Sequence, residues 1–179
     1  MTIIVDDAGS GDLLFGVVIG AYRLESQEFE YGLLDVRYFQ FPSFPRKEYL
    51  RQTSKIIFNL LDKLELKTDE TILICRGAIF DRALEDLKNK VGESRILNIK
   101  VTGEPQRLVE TAYLDEIRNL GYEPLEEREE KRAKSFFHMM KWLGKNPSKI
   151  RYAKTGWPRL SRYKMFRSIS RPRSRVAHT

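Results

Sequence analysis

The sequence predicts an α/β domain: a mixed five-stranded sheet flanked by helices, with a basic C-terminal extension. Three observations carry this. Apolar runs of strand length come first in close succession and then alternate with segments of helical period. The links between the early runs suit hairpins, whereas the later links hold whole helices. Charge is also divided along the chain. Residues 131–179 contain 15 Lys plus Arg and no Asp or Glu, while residues 1–130 contain 17 Lys plus Arg against 25 Asp plus Glu.

Residues 2–6, TIIVD, form a short apolar run expected as a buried strand. Residues 13–23, LLFGVVIGAYR, form the second strand, and the two glycines of the AGSGD link permit a tight turn. Residues 28–40, EFEYGLLDVRYFQ, mix aromatic and β-branched residues and complete an antiparallel meander. Pro42 and Pro45 close it. The period then changes. Tyr49, Leu50, Ile56, Ile57, Leu60, Leu61 and Leu64 recur at helical spacing, which predicts an amphipathic helix over 46–66. Residues 70–75, ETILIC, suit a parallel strand covered on both faces. A second helix spans 81–91 and stops at Gly92, and ILNIKV, 96–101, is the fifth strand. Thr102-Gly103-Glu104-Pro105 has the form of a helix start, and Val109, Tyr113, Ile117 and Leu120 mark that helix's buried face. EPLEEREE, 123–130, is expected to open an acidic helix that KRAKSFFHMMKWL continues, docked through Phe136, Phe137, Met140 and Leu143. The organisation is thus a core over 1–122, a basic helical extension over 123–169 and a flexible basic tail over 170–179.

Composition narrows the function. A length of 179 residues with 41% hydrophobic residues suits one folded domain. The single cysteine, Cys75, excludes an internal disulfide and a multi-cysteine zinc site, and fits a reducing, cytoplasmic setting. His138 and His178 are too isolated to suggest zinc. No secretory signal is visible, and no apolar run approaches the roughly 18 residues of a membrane span. The net charge of +7 and its segregation point to a polyanionic partner, nucleic acid before membrane. Trp142, Tyr152, Trp157, Tyr163 and Phe166 interleave with the cations, so bases can stack where phosphates are neutralised. Lys154, Arg159, Arg162 and Lys164 are the candidate nucleic-acid contacts.

The stretch IIVDDAGSGD sets two carboxylates, Asp6 and Asp7, at the end of the first strand, followed by Gly9, Ser10 and Gly11. Like charges are placed together where a cation holds them. Phosphodiester hydrolysis develops negative charge on the attacking and leaving oxygens, and divalent ions about 4 Å apart can stabilise both. Hard carboxylate oxygens hold such ions, and the glycines let a substrate backbone approach.

The order βββ-α-β-α-β-α resembles the ribonuclease H-like fold, and IVDDAGSGD is similar to the Asp-Glu-Ala-Gly-Arg-Gly-Pro motif of type 2 ribonucleases H. The resemblance implies that Asp6 holds a divalent metal, with Asp7 at the following glutamate position and Ala8, Gly9 and Gly11 matching in place. Ser10 and Asp12 stand where that family has Arg and Pro. A further family aspartate belongs near the end of the fourth strand, where this chain has Cys75 and Arg76, and Asp81 is the nearby substitute. Glu104 stands for the last, after the fifth strand. Asp12, Asp35 and Glu110 rank behind these. The expectation is a Mg²⁺- or Mn²⁺-dependent nuclease using Asp6, Asp7, Glu104 and Asp81, the first three as metal ligands. Gly9, Ser10 and Gly11 would join the basic residues in binding nucleic acid. The alternative is a non-catalytic nucleic-acid-binding protein on the same fold.

Overall fold

The computed structural model describes residues 1–169. The expectation of a flexible tail over 170–179 lies outside them. All five strands form: β1 (Thr2–Ala8), β2 (Val17–Arg23), β3 (Phe29–Leu34), β4 (Thr71–Cys75) and β5 (Ile96–Ile99). They make one sheet in the order β3-β2-β1-β4-β5. β2 runs antiparallel to both β1 and β3, while β4 is parallel to β1 and to β5. β1 is therefore central, and β1, β3, β4 and β5 all deliver their carboxyl ends to the same edge. The helices are α1 (Glu48–Lys63), α2 (Asp81–Val91), α3 (Glu104–Asn119) and α4 (Arg132–Lys145).

Each face of the sheet carries its own core. Alternation along a strand sends successive side chains to opposite faces. Ile3 and Val5 of β1 join Val17, Ile19, Ile72 and Ile74 beneath α1 and α2, through Ile57, Leu60, Leu61, Ala83 and Leu87. Ala8 and Val18 face the other way, onto Val109, Tyr113 and Ile117 of α3 and Met139 and Leu143 of α4. Ala153, Leu160 and Phe166 belong to that second core. The basic C-terminal part is thus packed into the domain as the cover of one face.

Three expected boundaries move, each for a local reason. The second run is a strand only from Val17. Leu14 instead pairs with Ala153 as an isolated bridge, and Phe15 turns with φ 64°. The third strand ends at Leu34, and Val36–Phe39 wind into a 3₁₀ turn started by the Asp35 carboxylate, which accepts from the Arg37 amide at 2.8 Å. The expected acidic helix over 123–130 does not form. Residues 126–131 make turns, and helix begins only at Arg132. Glu126, Glu127, Glu129 and Glu130 would repel one another on a helix surface. On α4 the buried stripe is Ser135, Met139 and Leu143; of the expected docking residues Leu143 is buried, Phe136 and Met140 pack against the core half-buried, and Phe137 is exposed. No helix among the described residues is long and apolar enough to cross a membrane.

Away from the site, one buried ion pair ties the sheet to the α1–β4 connection. Arg23 donates from Nε to Glu70 at 2.7 Å, and Glu70 accepts the Lys67 amide at 2.8 Å. The Arg23 guanidinium also reaches the Leu64 carbonyl at the end of α1. Glu70 is fully buried and Arg23 nearly so. Removing Glu70 leaves the buried Arg23 only the exposed Glu28, which it meets at 2.6 Å, and frees the Lys67 amide, a loss at the lower end of the about 3–5 kcal/mol that breaking a buried pair costs. Glu70→Ala is therefore expected to lower stability by about that amount in urea unfolding, with the m-value unchanged.

Candidate active site at the strand ends

The carboxyl ends of β1, β3, β4 and β5 open onto one cavity of about 550 Å³. In open α/β sheets this is the place where ligands bind. Residues 6–12 supply the floor from β1, residues 75–79 follow β4, and Lys100 and Val101 follow β5. Phe39, Phe44 and Tyr49, after β3, form one wall. Gln106 and Glu110 of α3 form the other with Arg128, Glu129 and Arg132, and Trp157 lines the cavity on the Phe39 side, where the preceding Gly156 amide donates to the Phe39 carbonyl at 2.9 Å.

Asp6 and Asp7 both line this cavity. As neighbours on a strand they point to opposite faces, which lets two like charges sit in sequence. Asp6 is only 5% exposed, beside Cys75 at the end of β4. Burial raises its pKa above the ordinary carboxylate value, against a hydrogen bond from the Cys75 thiol. Burial also pushes Asp7 up, to about 6, with Asp6 adding repulsion and a Ser10 hydrogen bond opposing it. The Cys75 thiol is itself pushed up to about 11, first by burial. It stays protonated beside Asp6, with its Sγ 3.8 Å from the Arg76 carbonyl.

The turn after β1 is built around Gly9 and Lys154. Gly9 has φ +89°, and a Cβ there would lie 2.2 Å from the Tyr113 ring, so only glycine fits. The Tyr113 hydroxyl donates to the Leu14 carbonyl at 2.9 Å. Lys154 is fully buried and donates from Nζ to the carbonyls of Asp12 at 2.7 Å and Gly9 at 2.9 Å, with Leu14 at 3.4 Å. Burial lowers its pKa to about 7, against the attraction of Asp12 and Asp7.

A second acidic group lies on the α3 side. Arg128, from the connection between α3 and α4, reaches into the cavity and pairs with Asp12 and Glu110, and with Glu129 at 3.3 Å. Its guanidinium also lies over the Tyr113 ring at 5.1 Å. Glu110 is held above its ordinary pKa, first by burial and then by the neighbouring Glu129 carboxylate, despite Arg128.

The expected site residues divide accordingly. Asp6, Asp7, Gly9, Ser10 and Gly11 are brought together. Glu104 is not among the cavity's lining residues. Its exposed carboxylate is taken by Arg107 one turn along the helix, with Nε at 2.8 Å, and that hydrogen bond holds its pKa down. Asp81, the exposed first residue of α2, does not line the cavity either. Lys154 is corrected outright as a nucleic-acid contact, because its ammonium is buried and spent on backbone carbonyls. Gly9 is buried against Tyr113 and lines the cavity with the exposed Ser10 and Gly11. Arg159, Arg162 and Lys164 are exposed, with Arg159 stacked between Trp157 at 4.5 Å and Phe136 at 5.1 Å.

Glu110 was legible as the α3 carboxylate of the site. It precedes Tyr113 by three residues and follows Gln106 by four, so it borders the helix face whose burial the sequence predicts. Arg128 had no such signal, because its segment reads as helix and folds as turns.

Among the described residues, no three Asp, Glu, Cys or His side chains stand close enough together to hold a metal ion as they are arranged. On the α3 side Arg128 engages Asp12 and Glu110 instead. The donor chemistry still suits a hard divalent cation. Carboxylate oxygens arrive from β1, the turn after it and α3, and three of the carboxylates are held above their ordinary pKa by burial, a state that added positive charge relieves. Comparisons with protein-family models, curated proteins and solved structures return no match for this chain.

Two outcomes are expected. Lys154→Met strands the Asp12 carbonyl and leaves the Gly9 carbonyl only the Asp12 amide, at 3.1 Å, so it should lower stability by about 1–3 kcal/mol, with faster hydrogen exchange over residues 9–14. Asp7 is easier to protonate folded than unfolded, so its contribution is favourable below its unfolded pKa and lost as pH rises through about 6. In chelator, Asp7→Asn should therefore stabilise the protein by about 1–2 kcal/mol at pH 8 and by much less at pH 4, as read by thermal unfolding.

Proposed function

We propose that this chain is a divalent-metal-dependent nuclease with a ribonuclease H-like core. The observation that carries the reading is the placement of Asp6. It sits at the carboxyl end of the central strand, at the floor of a cavity that Asp7, Asp12 and Glu110 also line. The strand order with β1 in the middle and the acidic residue upon it supports the resemblance to that fold. Exposed Arg159, Arg162 and Lys164 provide cations for a phosphate backbone near the cavity's Trp157 wall.

Asp6 and Asp7 would hold a Mg²⁺ or Mn²⁺ ion, with Glu110 replacing Glu104 as the contribution of α3. A bound ion of this kind supplies Lewis acidity at the phosphoryl oxygens and lowers the pKa of a water. The rest falls to the chain itself. The Gly9–Leu14 turn, pinned by Lys154 and Tyr113, fixes the direction of the β1 carboxylates. Arg76, Lys100 and Arg132 at the cavity walls neutralise phosphates flanking the reacting one. Burial raises the Asp6 pKa and takes Asp7 to about 6, so Asp7 exchanges protons nearer neutrality than an exposed carboxylate does.

One feature favours the non-catalytic reading. Cys75 stands at the end of β4, beside Asp6, where the resembling family has an aspartate, and its thiol remains protonated. A single series separates the two. With labelled RNA, DNA, hybrid and branched substrates and Mg²⁺ or Mn²⁺, wild type should cleave, and Asp6→Asn should abolish cleavage with the circular dichroism unchanged. Glu110→Gln should cut the rate by at least about a hundred-fold, while Glu104→Gln should leave it little changed. Cleavage that persists in Asp6→Asn would overturn the assignment. Salt-sensitive binding without cleavage by wild type would establish the non-catalytic reading.

A further inference from the structure

We propose that the cavity accepts an unpaired nucleotide of a single-stranded nucleic acid, and that a duplex does not enter it. This rests on the nucleic-acid reading above and narrows its substrate class. The first ground is depth. Asp6 is 5% exposed, in a cavity lined by Phe39, Phe44, Tyr49 and Trp157 and by Glu110, Arg128 and Arg132. A phosphodiester must descend between them to reach the carboxylates. In a duplex each backbone is held on the outside of a stiff, broad cylinder, which keeps its phosphates from a carboxylate as buried as Asp6. A single strand bends locally and can splay one nucleotide inward.

The second ground is the chemistry of the walls. Phe44 and Tyr49 stack with centroids 5.4 Å apart and planes 20° from parallel, and Phe39 stacks on Tyr49 at 5.4 Å. Phe44 and Tyr49 are only half-buried, so aromatic surface remains open to the cavity. Within this recess, Phe44 and Tyr49 are available for contact with a base that has left its own stack, and stacking on an aromatic side chain is the usual way an unpaired base is held. Across the cavity, Arg76, Lys100 and Arg132 are exposed and make no ion pair among the described residues. They suit the phosphates on either side of the inserted nucleotide. The volume of about 550 Å³ matches a small-ligand site.

The test is fluorescence anisotropy on Asp6→Asn in Mg²⁺, a background in which cleavage does not confuse binding. The probes are a labelled RNA strand of about ten nucleotides, within the footprint of single-strand sites, and the same strand annealed to DNA. The single strand is expected to bind at least about ten-fold more tightly than the hybrid. Adding Tyr49→Ala should weaken the single strand at least about five-fold, the lower end of what one stacked base contributes, and leave the hybrid unchanged. Arg159→Ala, outside the cavity, should weaken both alike. Lys100→Ala, at an exposed position, repeats the Tyr49 comparison should Tyr49→Ala unfold. It should weaken the single strand and spare the hybrid. Hybrid binding as tight as single-strand binding, or single-strand binding untouched by Tyr49→Ala in a folded protein or by Lys100→Ala, would overturn the proposal. Efficient cleavage of duplex by wild type would overturn it too while leaving the nuclease reading intact. Selective single-strand binding without cleavage would support it and refute the nuclease.

Discussion

The site depends on one buried amine. The Lys154 Nζ sits inside the turn that follows β1, holding the carbonyls of Gly9 and Asp12 from a position 142 residues further along the chain than Asp12. An isolated buried ammonium is unfavourable, and this one is tolerated because carbonyl oxygens and the Asp7 and Asp12 charges surround it. The rings of Phe39 and Trp157 add cation–π contact at 5.3 and 5.7 Å. The arrangement joins the first strand of the sheet to nearly the last described segment of the chain. It is the reason the basic C-terminal part belongs to the domain.

From that anchor the rest of the site follows in order. The pinned turn sets the end of β1, and the end of β1 sets Asp6 and Asp7. Leu14 and Phe15 are drawn from the sheet onto Tyr152 and Ala153, through Phe15 to Tyr152 at 2.6 Å and Lys154 to Leu13 at 2.9 Å. That detour delays β2 until Val17. It also brings the 147–160 segment against the cavity, so Trp157 becomes a wall residue. The cavity is walled from both sides, and water has limited access to its floor. Desolvation is accordingly the largest cause of the raised pKa values of Asp6, Asp7 and Glu110. Arg128 supplies part of the positive charge this cluster calls for, from a connection too acidic to continue as helix.

Much of this was legible in the sequence, because the signals were local. Strand and helix periods placed every sheet element and the first three helices, with the second strand begun four residues early and the third run six residues too far. Gly92 ended α2, and Pro105 lies in the first turn of α3, as their backbone preferences require. The pair Asp6–Asp7 marked the correct strand end, since charge at the close of an apolar run is itself a local anomaly. The misplacements involve contacts between distant segments. Glu104 was chosen by its distance from β5, yet helix rotation turns it to Arg107 and turns Glu110 into the cavity. Lys154 looked like one cation among fifteen, and nothing in its neighbours reveals a partner turn at residues 9–14.

The sequence by itself determined the α/β class, the acidic end of the first strand and the segregation of charge, because each follows from residue type and period over a short window. Tertiary structure alone decided which carboxylates share a cavity, which lysine is buried and which arginine enters the acidic cluster. Those depend on helix rotation and on loop closure across a hundred residues or more. There the free energy of desolvating a charge, unlike any local preference, is settled only once its distant partners are in place.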